Sequence, residues 1–288
     1  MMGEIDEANL DKIIDELQLR PLLVVGSSRA GKTLMVKALV KRLKERGVKQ
    51  VTVYDPSLAW WNNSPLSHRK TCTPLTGGDY PEPFYDFVCD VSKFIGDERA
   101  SIISGIIEHE YEERVNQRRV SGEEKTFPAN IAVLEEAQTI FKKFGIPGTR
   151  LYDWVSMGLN FNMTGIYTTQ RPAEVPTEIV ERCNLLVGYI DGHRNLQKIR
   201  GAVKSLDFIK TIHSIKQRSY EFAYYDGGKG FKVKAPNEDY GDPKTVFSRR
   251  PPLPPNIGAT PVKTQKIGPN WWWLPVMFFG LLILAAFS

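Results

Sequence analysis

Gly26-Ser27-Ser28-Arg29-Ala30-Gly31-Lys32-Thr33 decides the fold of this 288-residue chain. The stretch fits G-x-x-x-x-G-K-[ST] in full, and its surroundings fit as well. The apolar run Leu22-Leu23-Val24-Val25 leads in. Behind it Leu34, Val36, Leu39, Val40 and Leu43 recur at helical spacing, with Lys and Arg between them. A strand therefore enters a glycine-rich turn and leaves as an amphipathic helix. The glycines let successive backbone N–H groups close on a phosphate, and the helix N-terminus turns its positive end toward negative charge. In that cradle Lys32 reaches the β- and γ-phosphates and Thr33 ligates Mg2+, so ATP and Mg2+ are the expected ligands.

The chain on either side alternates strands with helices. Residues 4–18 read as a short amphipathic helix, with Ile5, Leu10, Ile13, Ile14 and Leu17 on one side. Residues 51–56 read as a buried strand, and 59–83, rich in Trp, Asn, Ser, Pro and Gly, as an insertion or loop. Helices are expected over 84–95 and 98–119, a strand over 131–134, a helix over 149–160 and a strand over 164–169. A helix near 176–182, a strand over 185–190 and a helix near 194–203 follow. Residues 220–225 and 231–234 alternate in the strand manner around Asp226-Gly227-Gly228-Lys229-Gly230, which predicts a hairpin. The fold class is α/β, a mainly parallel sheet flanked by helices, in a domain spanning 1–234.

Hydrolysis needs an acidic group at the end of a second strand. Ile131-Ala132-Val133-Leu134 followed by Glu135-Glu136 supplies it. Glu135 stands where the Mg2+-associated acid belongs, and Glu136 where a carboxylate polarises the attacking water. A Glu reaches one methylene further than the usual Asp, which suits coordination through water. Gln170 closes the 164–169 strand on the same sheet edge, where an amide can sense the γ-phosphate or orient water.

Composition adds less. The chain is 42% hydrophobic and 25% charged, enough for a packed core, and its net charge is +5. That mild excess is compatible with nucleic acid or anionic lipid without choosing between them. Cys72, Cys89 and Cys183 form no CxxC pair, so buried thiols in a reduced compartment are expected. From about 235 to 270 the composition turns to a linker, with the extended Arg249-Arg250-Pro251-Pro252-Leu253-Pro254-Pro255. Trp271 to Phe287 then runs 17 residues without a charge, starting with three Trp. As a helix it spans roughly 25 Å, close to a hydrocarbon core. The Trp cluster suits the interface, and Lys263 and Lys266 before it favour a cytoplasmic main domain. Segment 271–288 is thus expected to be a single-pass transmembrane anchor, in a host cell or virion membrane.

Taken together, the loop at 26–33, Leu134-Glu135-Glu136-Ala137-Gln138 and Thr168-Thr169-Gln170-Arg171-Pro172 resemble the FtsK–HerA superfamily of DNA-pumping ATPases. The resemblance spans about residues 20–205. The small size is similar to that of the genome-packaging ATPases of membrane-containing tailless viruses. It implies a homo-oligomeric ring, commonly a hexamer, that threads duplex DNA, with capsid or portal membrane proteins as further partners. Family members often carry a trans-acting Arg in a Gly-Arg pair before the sensor Gln. Here the pair is Gly158-Leu159, so Arg150, Arg182 or Arg194 would have to serve. In layout the linker and tail also resemble the zonula-occludens-toxin-like assembly ATPases of filamentous phages, which extrude virions. That layout keeps an extrusion machine, or a membrane-tethered nucleotide switch, in view. Lys142, Lys143, Arg150, Lys198, Arg200, Lys204, Arg118 and Arg119 are basic candidates for a DNA path. His193, in Asp191-Gly192-His193-Arg194, has no companion ligand in the sequence.

Overall fold

A computed structural model of the chain describes residues 7–48, 50–60, 63–66, 69–71, 86–121, 130–228, 230–236 and 238. At its centre lies Leu22–Val25 (β1), whose four residues are all buried. Such a run serves a strand covered on both faces. Leu22 and Val24 point into one apolar layer and Leu23 and Val25 into the other. Gln50–Asp55 (β2) and Asn130–Leu134 (β5) are buried along their whole length in the same manner, as are Met163–Thr169 (β6) and Asn184–Val187 (β7).

Among the described residues the sheet has nine strands. Arg69–Thr71 (β3) and Phe87–Asp90 (β4) complete one end, and Glu221–Tyr225 (β8) and Gly230–Lys234 (β9) the other. Their order is β3-β4-β2-β5-β6-β1-β7-β8-β9. The first seven in that order are parallel, β8 is antiparallel to β7, and β9 is antiparallel to β8. The hairpin lies where the alternation predicts it.

Glu7–Glu16 (α1) and Lys32–Glu45 (α2) cover one face, burying Leu10, Ile13, Ile14, Met35, Leu39 and Leu43. Ion pairs from Arg42 to Asp11 (2.8 Å) and from Arg46 to Asp15 (2.5 Å) tie the two helices at their rim. Gly96–Ser121 (α3), Gln138–Phe144 (α4), Arg150–Met157 (α5), Thr177–Arg182 (α6), His193–Ala202 (α7) and Leu206–Ser214 (α8) follow in chain order. Residues of all six enter the second apolar layer. There Tyr167 meets Phe141 edge-on at 4.9 Å and Trp154 at 5.6 Å.

Three expectations are corrected. Residues 87–90, expected in a helix, form β4, because the short apolar run Phe87-Val88-Cys89 is claimed by pairing with β2. Periodicity cannot separate a helix from a strand over so few residues. The stretch 59–83, expected as loop, contributes edge strand β3. Cys183 is a buried free thiol, raised by burial. Cys89, however, is disulfide-bonded, with its partner outside the described residues. The linker from 239 onward and the expected anchor 271–288 also lie outside the described residues. Among those described, no helix is long and apolar enough to cross a membrane.

One acid with an enclosed carboxyl oxygen stands apart from the site. Glu110 on α3 is half-buried as a residue, yet its Oε1 is enclosed and has no hydrogen-bond partner among the described residues. Burial pushes its carboxyl up to about 7, against the lowering effect of Arg114. An acid raised in the folded state gives stability that is complete below its unfolded value of 4.5 and lost as pH climbs to about 7. Glu110→Gln removes that loss. Its stability relative to the parent, followed by urea denaturation, should climb from pH 4.5 to about 7 and then level off. A difference that stays flat over that window would show a hydrated carboxyl.

Candidate nucleotide site

The site forms at the carboxyl edge of the parallel strands, where β1, β5 and β6 end together. Register places Val25 beside Thr169, and Leu134 beside Tyr167. Gly26 to Thr33, Glu135, Glu136 and Gln170 therefore emerge on one edge, as expected.

Loop 26–33 is held by backbone hydrogen bonds to its neighbours and within itself. Gly26 N donates to Thr169 O (3.2 Å), Ser27 N to Tyr189 O (2.7 Å) and Ala30 N to Ser27 O (3.2 Å). Ser27 Oγ accepts from Asp191 N at 2.6 Å, which ties the loop to the segment after β7. Gly31 has φ 92°, a left-handed conformation that glycine adopts at little cost. At Gly26 a Cβ would come within 3.0 Å of the Ala30 Cβ. Ser28 and Arg29 are exposed at the tip, and Thr33 is half-buried on the first turn of α2.

Lys32 is buried, and its Nζ donates to Gly26 O (2.8 Å) and Ser27 O (3.1 Å). Burial pulls its ammonium below the ordinary lysine value, and the charges of Glu135 and Glu136 oppose that pull. Both carboxylates thus act electrostatically on the loop lysine. Phosphate oxygens would replace the two carbonyls as acceptors and bring further negative charge against this buried cation.

Glu135 is buried, and each of its oxygens is held. Trp60 Nε1 donates to Oε1 at 2.9 Å and Thr168 Oγ1 donates to Oε2 at 2.5 Å. Burial raises its carboxyl, and the two hydrogen bonds draw it back. Trp60 is itself placed by Asp55, fully buried at the end of β2, whose Oδ2 accepts from Trp60 N at 2.7 Å. Lys37 lies 5.5 Å from the Trp60 ring centre.

Glu136 sits one residue on, half-buried, with φ 53°. A left-handed non-glycine residue at a reactive position is strain that the surroundings must hold. Its N–H donates to Thr168 Oγ1 (3.1 Å), and Ala137 N donates to Thr168 O (2.8 Å). Gln170 Nε2 donates to Glu136 Oε1 at 3.3 Å. The expected trio of Lys32, Glu136 and Gln170 is brought together on one sheet edge, with Glu135 behind it.

Sequence reasoning missed Asp55, Trp60 and Thr168. Asp55 closes a buried strand just before Pro56-Ser57, which was a readable turn signal. Nothing local announces that Trp60 reaches a carboxylate 75 positions away.

Leu159 lies in a 3-10 turn, Gly158–Phe161, between α5 and β6, and brings no cation there. Of the three arginines named instead, Arg150 pairs with Glu112 (3.4 Å), and Arg182 bonds the Tyr152 hydroxyl (3.0 Å) and covers its ring. Arg194 is exposed on the first turn of α7. Among the basic candidates for a DNA path, Lys143 pairs with Asp97, Lys198 with the Thr177 hydroxyl and Arg200 with His213.

No protein-family model matches the chain, and neither does any curated protein sequence. Solved structures do match. The genome-packaging NTPase B204 of Sulfolobus turreted icosahedral virus 2, in complex with AMPPCP, aligns with a TM-score of 0.54. The identity is 16%, over 76% of this chain and 98% of that one. B204 of Sulfolobus turreted icosahedral virus, a DNA-packaging ATPase, aligns at 0.51 with 15% identity, over 74% of this chain and 96% of that one. The fold is that of the viral genome-packaging NTPase B204. The resemblance read from the motifs is met at that level.

The Thr168 hydroxyl serves both acids, accepting from Glu136 N while donating to Glu135. Thr168→Val leaves two buried polar groups short of a partner. A loss of about 1–3 kcal/mol is expected in denaturant unfolding. A loss within about 0.5 kcal/mol, the range of an ordinary surface change, would show that Glu135 is held by other means.

Proposed function

We propose that this chain is an ATP-driven motor that translocates duplex DNA, in the service of viral genome packaging. The observation that carries the reading is the Glu136–Gln170 contact beside a complete phosphate loop, on a fold shared with a genome-packaging NTPase. In this mechanism Lys32 and the loop N–H groups bind and orient the phosphates. Glu136 accepts the proton of the attacking water, and Gln170 holds that carboxylate in place. Thr33 and Glu135 offer the hard oxygen donors that Mg2+ takes. The donor set fits a magnesium ion that keeps several waters, since both Glu135 oxygens already accept a hydrogen bond. Bound Mg2+ supplies neutralisation of phosphate charge.

On this reading the domain assembles as a homo-oligomeric ring around the duplex. Residues 239–270 act as a Pro-rich linker after Ala235 and Glu238, which pack on the domain, and 271–288 anchor the ring to a membrane portal with the ATPase domain on the cytoplasmic or virion side. The three Trp at the head of an uncharged run support the anchor.

Duplex DNA should stimulate ATP turnover without sequence preference, and the stimulation should fall steeply with salt. A motor that neutralises several phosphates loses on the order of 10³-fold in affinity between low and moderate salt. Turnover that ignores duplex at low salt but rises with a purified coat protein would replace packaging with virion extrusion. Turnover that answers to neither would leave a nucleotide switch. Glu136→Gln should lower turnover by about 10²–10⁴-fold with ATP still bound, and near-parental turnover would remove its assigned role.

Deleting 271–288 should move the chain from the membrane pellet to the supernatant and leave ATP binding intact. Full-length chain found in the supernatant after ultracentrifugation would remove the anchor.

A further inference from the structure

The hydrolytic groups lie on one side of the phosphate loop. Glu135, Glu136 and Gln170 follow β5 and β6, both on the same side of β1 in the sheet. A nucleoside triphosphate that presents its γ-phosphate to them must lay its nucleoside toward the other side, over β7 and β8. Strand β8 runs antiparallel to β7, with Ala223 opposite Val187. The residue just before Glu221 therefore returns to the edge that carries the loop.

That residue is Tyr220, and its ring lies against Gly31. A Cβ built on Gly31 would fall 2.6 Å from the Tyr220 Cδ1, with Cγ and Cε1 at 3.5 Å. Tyr220 is 40% exposed, whereas Phe222, Ala223 and Tyr224 within β8 are fully buried. An aromatic ring thus touches the phosphate loop and stays open to solvent. Its backbone has φ 57°, and Arg218, two residues earlier, has φ 60°. Left-handed backbone at bulky residues costs free energy and is kept where a function holds it. Here Ala235 N donates to Tyr220 O at 2.8 Å and pins the turn.

We propose that Tyr220 is a nucleobase platform, an aromatic subsite at the non-hydrolytic end of the nucleotide site. It rests on the nucleotide reading above and adds the part of the ligand that the phosphate loop leaves unrecognised. A π-face stacks on any base and reads none of its edges, so the platform gives affinity with little base choice. ATP and GTP should bind with similar strength.

The test compares ATP with inorganic tripolyphosphate, which has the phosphates and no base, on the full-length chain. Tyr220→Leu keeps apolar bulk against Gly31 and removes the π-face, and Tyr220→Phe keeps both. Tyr220→Leu should bind ATP on the order of tenfold more weakly and tripolyphosphate as the parent does. Tyr220→Phe should bind both as the parent does. ATP affinity unchanged in Tyr220→Leu would overturn the platform. So would an equal loss for both ligands, since the ring would then be supporting the loop. A parent chain that binds neither ligand would overturn the nucleotide reading and the platform with it.

Discussion

A carboxylate buried at the end of a parallel sheet is the constraint from which the site follows. Taking an ion such as Glu135 out of water costs several kcal/mol, and the cost is met only where partners are placed around it. Those partners come from three different elements. Trp60 arrives from the turn after β2, Thr168 from β6 and Lys32 from the helix that follows β1. Strand order makes this geometry available. With β2 on one side of β5 and β6 on the other, Glu135 meets donors from both neighbours, and β1 lies one strand further out. An order that took β2, β6 or β1 away from β5 would leave the acid without one of them.

The same placement loads the loop for a polyanion. Lys32 is buried, is pulled down by that burial, and spends its hydrogen bonds on carbonyls of the loop itself. An arriving phosphate meets a cation that gains more from pairing than an exposed lysine would. Its low-dielectric surroundings strengthen that attraction and also the repulsion between phosphate and the acids at 135–136. Separation of roles between the acids eases the second effect. Glu135 is fixed by two donors, while Glu136, half-buried, is steered by Gln170 and its own left-handed backbone.

How much of this was legible depends on how local each signal is. The loop 26–33 and its flanking strand and helix are one continuous stretch, and every element of it stands where the pattern put it. Strands β2, β5, β6 and β7 were legible because each is a run long enough to be buried on both faces. Strand β4 was not, since Phe87-Val88-Cys89 is too short to show a period, and its identity is decided by β2 alongside. Glu135, Glu136 and Gln170 were legible as strand-end residues, which is a topological statement about one edge. Trp60, Thr168 and Tyr220 were not, because each works through a residue far away in the chain. Tyr220 even fits the alternation of its hairpin, and only the approach of its ring to Gly31 marks it as something else.

The proposed division of the loop into a hydrolytic and a nucleoside side also bears on the arginine that the family resemblance implies. The transition state of phosphoryl transfer gathers charge at the γ-phosphate, and an arginine there is worth far more than one elsewhere. Leu159 cannot supply it. Arg171, next to Gln170, is turned to Glu174 at 3.3 Å. Arg29 stands exposed at the loop tip. Arg194 belongs to the segment after β7 that binds Ser27 through Asp191, so it flanks the side proposed for the nucleoside. To meet a γ-phosphate it must cross to a neighbour, and its exposed position on the first turn of α7 allows that. Arg150 and Arg182 would first have to break with Glu112 and Tyr152. Of Arg150, Arg182 and Arg194, the last is thus the one that could complete a neighbouring site in the proposed ring at the smallest cost to its own fold.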